Sequence, residues 1–326
     1  MAIIGIDVSK KKLDCLWLKD GVNGKAKSRV FPNNPAGHFA LLDWAQKQTN
    51  ETVEAIHFMM EATGIYHETL AYQLYQAGAK VCVINPAQVN SYAKSLGQRT
   101  KTDKKDSMVL ARYGSTQSPE LWHPEPEEVR TLKALIARID AVDQDIQREK
   151  NRLEKAEIVQ VSQAVLTSIH NVLSPLKQEK ARLEILIDQH IDQHPILKRD
   201  RRLLESIPGV GPVISRIMLA VIRSRTFTSA SQCAAYLGLN PIQYESGSSV
   251  RRKARLSKAG NAKVRAKLYM AAVVSIQHNP DIKQQYERLT QKGKANMSAL
   301  GAAMRKLVHI CFGVLKHQTT YQVQAL

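Results

Sequence analysis

With 326 residues and 44% apolar side chains, the chain can build two or three cores and is too apolar to be disordered. A net charge of +18 favours polyanionic partners. The four cysteines (Cys15, Cys82, Cys233, Cys311) lie far apart with no C-x-x-C pair, which excludes a disulfide framework or zinc knuckle and leaves reduced, buried thiols.

Residues 2–8, 13–18 and 27–31 read as three successive strands, and Pro35 to Gln48 as a helix with Leu41, Leu42 and Trp44 among its apolar residues. A strand (53–60), a helix (66–77), a strand (80–84) and a helix opened by Asn85-Pro86 follow. The order βββαβαβα predicts a mixed sheet with helices on its faces. His123-Pro124-Glu125-Pro126 reads as a linker, with a helix starting at Pro126-Glu127-Glu128. Leu132, Ile136, Ile139, Val142, Ile146 and Leu153 then follow the rhythm of a helix–helix seam. A second seam runs through Leu176, Leu183, Ile187 and Ile191, with Ser174-Pro175 expected as cap and first turn and 157–168 unassigned. The two helices could pack on each other or on a second chain. The last third reads as helical, with a loop at 240–250. The expected domains are 1–122, 123–197 and 198–326, and the last carries 22 Lys and Arg against 5 Asp and Glu.

The short N-terminal apolar run is broken by Asp7, unlike a secretory leader. The longest apolar helix, Met297 to Leu315, contains Arg305, Lys306 and His309 and reads as a core helix. A cytoplasmic protein without a membrane span is expected.

Four acids fall where phosphodiester chemistry would need them. Asp7 interrupts the apolar strand Ile3 to Val8, Glu61 ends the run Ile56 to Glu61, and Asp103 and Asp106 share a helical face three residues apart. Carboxylates converging at strand ends repel one another, and divalent cations are the usual remedy. Asp14, at the start of the second strand, reads as an edge residue instead. Further on, Ser206-Ile207-Pro208-Gly209-Val210-Gly211-Pro212 resembles a helix–hairpin–helix turn, in which Gly209 and Gly211 would let backbone N–H groups approach a phosphate. The segment Tyr244 to Arg255 joins a hydroxyl cluster to Arg251, Arg252, Lys253 and Arg255, with Lys258 beyond, and reads as a phosphate-gripping loop. No histidine lies between His194 and His278, so a serine nucleophile here has no local general base.

Together these motifs resemble the insertion-sequence 110 family of transposases, the DEDD recombinases that include the Piv-type invertases. The resemblance rests on Gly5-Ile6-Asp7-Val8-Ser9-Lys10, Met60-Glu61-Ala62-Thr63-Gly64-Ile65-Tyr66, Val83-Ile84-Asn85-Pro86 and Lys101-Thr102-Asp103-Lys104-Lys105-Asp106-Ser107. It continues through Ser206 to Gly211, Ala235 to Pro241, Tyr244 to Ser249 and Leu256 to Asn261. It implies an RNase H/RuvC-like domain whose Asp7, Glu61, Asp103 and Asp106 hold Mg²⁺, or Mn²⁺ in its place, and a mainly helical C-terminal domain whose Ser246 attacks DNA. It also implies donor and target DNA, a non-coding bridge RNA, and a homodimer that becomes a tetramer in the synaptic complex. Two alternatives stand beside it: a structure-selective endonuclease whose acids activate water, and a non-catalytic nucleic-acid-binding protein.

Overall fold

The computed structural model describes residues 2–19, 24–62, 64–97, 103–246 and 250–323. The chain forms two compact units, Met1–Pro124 and Glu125–Leu326.

In the first unit, β1 (Ile3–Val8), β2 (Lys12–Leu18), β3 (Ala26–Pro32), β4 (His57–Glu61) and β5 (Lys80–Ile84) make one sheet in the order β3-β2-β1-β4-β5. The first three strands pair antiparallel, while β4 and β5 join β1 in parallel. Helices α1 (Pro35–Thr49), α2 (Glu68–Gln76), α3 (Pro86–Ser95) and α4 (Asp103–Gln117) complete the expected order of an RNase H/RuvC-like mixed sheet. One difference is at β4. Val53–Ala55 form a 3-10 turn, and the strand starts only at His57.

Apart from Asp7, β1 carries no polar side chain, because both of its faces are covered. Ile4, Ile6 and Val8, with Phe58 and Met60, pack against Leu41 and Trp44 of α1 and Leu70 and Leu74 of α2. Ile3, Met59, Cys82 and Ile84 face the other way, onto Val89 of α3 and Val109 and Leu110 of α4. Each such fully buried side chain contributes about 1.5–3 kcal/mol. Asparagines start two of this unit's helices, each followed by a proline in the first turn. Asn34 accepts from the Gly37 N–H at 2.8 Å, and Asn85 from the Ala87 N–H at 2.9 Å.

Gly5 is where α4 meets the sheet. An added Cβ there would collide with the Ser107 carbonyl oxygen and stand 2.6 Å from the Ala111 nitrogen. The helix backbone therefore lies directly on the strand.

The second unit begins with α5 (Glu127–Ile158) and α6 (Gln163–Gln193), joined by a four-residue turn at 159–162. They run antiparallel: Lys180 reaches Asp143 at 2.7 Å, and His190 Nε2 meets the Glu128 carbonyl at 2.7 Å. The expected seams close on each other, with Leu132, Ile139, Val142 and Ile146 buried against Leu183, Ile187 and Ile191. The expected cap at Ser174-Pro175 is corrected, because Pro175 lies inside α6. Proline supplies no N–H to the Asn171 carbonyl. Leu173 before it and Leu176 after it keep to the same buried seam, and the helix continues through.

Helices α7 (Pro195–Glu205), α8 (Pro212–Arg223), α9 (Ala230–Tyr236), α10 (Ala262–His278), α11 (Pro280–Gln291) and α12 (Asn296–His317) follow. Their apolar side chains join the α5–α6 seam in one continuous core. Segment 123–197, expected as a domain of its own, thus shares its core with 198–326. The region 240–250, expected as a loop, is instead mostly a β-hairpin of β6 (Pro241–Ser246) and β7 (Val250–Leu256). Helix α12 is long and apolar enough to cross a membrane, but 67% of its most apolar window is buried inside the unit. It is a core helix, as its internal charges suggest.

Candidate functional site

Asp7 and Glu61 occupy equivalent places on adjacent parallel strands. The β1–β4 register runs Gly5↔Met59 and Ile6↔Met60, so the next step along both strands is Asp7 beside Glu61. Side chains alternate along a strand, and Gly5 and Met59 both face α4. Asp7 and Glu61, two residues on, face the same way and are half-buried. Asp106 is half-buried on α4, next to Ser107, whose carbonyl packs on Gly5. Asp103 opens α4, and its side chain lies outside the described residues. The elements bearing all four acids therefore converge at one end of the sheet. Among the described residues, no three His, Cys, Asp or Glu side chains yet form a group that could hold a metal.

The sequence reading placed Asp14 at an edge, and this is corrected. Strand β2 is interior, between β3 and β1, and Asp14 pairs in register with Asp7. Directly opposite residues of an antiparallel pair share a face, so Asp14 joins the α4 side of the sheet. It is balanced there by Lys12 Nζ at 3.1 Å. The missed signal is the short β1–β2 turn: once Val8 is set against Leu13, Asp7 must meet Asp14. Behind them, burial raises the Cys15 thiol pKa well above its ordinary value, and the Asp14 charge pushes it the same way.

In the second unit, Gly209 and Gly211 separate in role. Gly209 has φ of 92°, and an added Cβ would stand 2.9 Å from Ser275 Cα. The Asn279 amide also donates to the Pro208 carbonyl at 3.3 Å. Packing against α10 therefore accounts for a glycine at position 209. Gly211, at the start of α8, is exposed, with nothing within 4 Å of where a Cβ would stand.

Ser246 ends β6 opposite Val250, and Glu245 pairs with Arg251 and Tyr244 with Arg252. A bulge follows, so that β7 uses three steps, Arg252 to Arg255, where β6 uses two. The side chains of Ser246, Arg251, Arg252 and Lys253 lie outside the described residues, as do Gly247, Ser248 and Ser249. Arg255 and Lys258 are exposed. Other cations of this unit are already committed to its structure. Arg201 and Arg216 bind Asp188, and Arg223 binds the fully buried Asp200.

A family model described as transposase matches residues 4–156, and one described as transposase IS116/IS110/IS902 family matches residues 201–287. A pilin gene-inverting protein of Moraxella bovis is 32% identical over 98% of this chain and 97% of its own length. An uncharacterized protein of insertion element IS110 from Streptomyces coelicolor is 26% identical over 48% of this chain and 38% of its own. A Thermus thermophilus RuvC structure in complex with a Holliday junction substrate is overlaid by 37% of this chain, covering 99% of that one, at 16% identity and a TM-score of 0.25. Family membership rests on the sequence matches. With both transposase domains in order and a gene-inverting relative aligned almost end to end, the chain belongs to the IS110 family and is a DNA transposase, an enzyme of DNA recombination.

Proposed function

We propose that this transposase cuts and rejoins DNA with a divalent-metal centre held by Asp7, Glu61, Asp103 and Asp106 and with Ser246 as nucleophile. The observation that carries the metal reading is the strand register that sets Asp7 beside Glu61 on the face covered by α4. Hard carboxylate oxygens are a donor set suited to Mg²⁺, and Asp7, Glu61 and Asp106 are half-buried. When bound, the ion supplies Lewis-acid stabilisation of charge on the reacting phosphate.

Ser246 ends β6 at the turn side of a hairpin, in a unit rich in cations. Its Oγ attacks phosphorus, the bond to the 3′ oxygen breaks, and the products are a phosphoserine and a free 3′-hydroxyl. The serine proton is lost as the leaving oxygen gains one. The acids and the serine of one centre can come from different copies of the chain, and exposed Val172 and Ile185 on α6 support pairing through the long helices. A non-coding bridge RNA pairing with donor and target DNA is the proposed source of sequence choice, with the protein gripping backbones. The basic excess of residues 198–326 suits that load, and the bacterial nucleoid is the proposed workplace.

Trapping labelled donor DNA on denatured protein tests the serine. The wild type should form a covalent adduct, and Ser246→Ala should form none. Normal cutting by Ser246→Ala would instead make this a junction-type nuclease in which water attacks. The basic strand is tested by salt titration. Replacing Arg251, Arg252 and Lys253 with Ala should flatten the slope of log affinity against log salt by about 0.7–0.9 per lost phosphate contact. An unchanged slope would remove these residues from the interface.

A further inference from the structure

Behind the proposed acidic centre, on the opposite side of the sheet from α4, the first unit holds a part-buried polar network that the reaction scheme does not use. Asn33, just past β3, donates from its side-chain amide to two carbonyls, Ser9 O at 2.9 Å and Tyr66 O at 3.1 Å. Ser9 lies two residues beyond Asp7 and Tyr66 five beyond Glu61. The Asn33 backbone N–H also donates to the Lys11 carbonyl at 2.9 Å. One residue thus holds both segments that leave the acid-bearing strands.

The orientation of Asn33 is itself fixed. With its NH₂ group committed to two carbonyls, its Oδ1 must face His38 Nε2, 2.8 Å away, which therefore donates. His38 is 1% exposed on α1, and its Nδ1 lies against Gln73 Oε1 on α2; with Nε2 donating, this contact is a hydrogen bond once the Gln73 amide is turned so that its NH₂ donates to Nδ1. Burying the His38 ring is costly unless its nitrogens are satisfied, and the half-buried Asn33 and Gln73 stand against both of them. The core beneath β1 and β4 would be served as well by apolar residues. The polar set instead spends its hydrogen bonds on the two turns beside the acids.

We propose that Asn33 is a positioning residue for the metal centre: supported by His38 and Gln73, it clamps the β1–β2 turn to the turn after β4 and so sets the spacing of Asp7 and Glu61. This rests on the reading of those acids as metal ligands and goes beyond it by naming what holds them. Groups that orient metal ligands without touching the metal are typically worth about 10–100-fold in affinity or activity.

The test uses the full-length protein, with Mn²⁺ as probe, its binding followed by the paramagnetic signal of the free ion, and DNA cutting measured alongside. Asn33→Ala should weaken Mn²⁺ binding and slow cutting by about 10–100-fold, with wild-type DNA affinity. Asn33→Asp, of equal size but unable to donate, should behave the same. His38→Leu should follow them. His38→Gln, which can still donate to Asn33, should recover most of both. Wild-type Mn²⁺ binding in Asn33→Ala and Asn33→Asp would overturn the clamp. So would losses that only track the unfolded fraction in a thermal melt. Asp7→Asn serves as the control: if it binds Mn²⁺ and cuts as the wild type does, the acidic-centre reading has failed. If it is dead while the Asn33 variants are normal, only the clamp has.

Discussion

Asp7→Asn should reduce DNA cutting about a thousandfold or more while leaving the fold intact. The substitution keeps the side chain's size at the end of β1, so the strand and its apolar neighbours are undisturbed. It removes one anion from a place where Asp14 stands opposite and Glu61 alongside. Lost metal stabilisation of the reacting phosphate is worth several kcal/mol, and each ~1.4 kcal/mol is a factor of ten in rate. A second readout separates this from misfolding. A ligand that binds only the folded state stabilises it, by about 2.7 kcal/mol at a hundredfold excess over its Kd. Saturating Mg²⁺ should therefore raise the melting temperature of the wild type and leave that of Asp7→Asn unmoved. Equal Mg²⁺-induced shifts in the two proteins would remove Asp7 from the ligand set.

Gly5→Ala should damage both stability and activity. The new methyl would meet backbone, the Ser107 carbonyl and the Ala111 nitrogen, and neither can rotate away as a side chain could. Overpacking typically costs about 1–3 kcal/mol, and a clash with helix backbone belongs at or above the top of that range. The way out is for α4 to lift from β1, carrying Asp103 and Asp106 with it. A displacement near 1 Å in a catalytic group can cost roughly a hundredfold in rate. Urea unfolding should give a lower midpoint, and the folded protein should still cut poorly. Gly313→Ala in α12 is the matched control. Nothing stands within 4 Å of its would-be Cβ, and alanine favours helix over glycine by about 1 kcal/mol. It should be neutral or stabilising. Wild-type stability and rate in Gly5→Ala would mean that α4 does not rest on the strand as described.

The sheet was legible because β1, β2 and β5 are apolar runs of strand length bounded by clear turns. The start of β4 was not, since Val53 has a strand former's side chain yet sits in a 3-10 turn. Pro175 misled for a related reason: proline most often opens a helix, but the seam from Leu173 to Leu176 carried this one across it. The β6–β7 hairpin escaped although Ile242-Gln243-Tyr244-Glu245 alternates apolar with polar, because β7 is dominated by a run of cations and Pro241, Ile242, Gln243 and Glu245 are all exposed. At the site, the strand-end acids announced themselves by breaking hydrophobic runs. Asp14 needed the hairpin register, which only pairing supplies. Asn33 could not be found at all, because the carbonyls it holds lie 24 and 33 residues away in sequence.

All four native thiols are buried. Burial pushes the pKa of Cys82 up to about 11 and of Cys233 to about 12, and raises Cys15 and Cys311 as well. At neutral pH they offer almost no thiolate to an alkylating reagent. A cysteine introduced on the exposed surface, at Arg255 for instance, would then be the single position to accept a maleimide dye from the folded protein. The wild-type background is thus ready for fluorescence distance measurements between copies of the chain as they assemble on DNA, with no native cysteine to remove first.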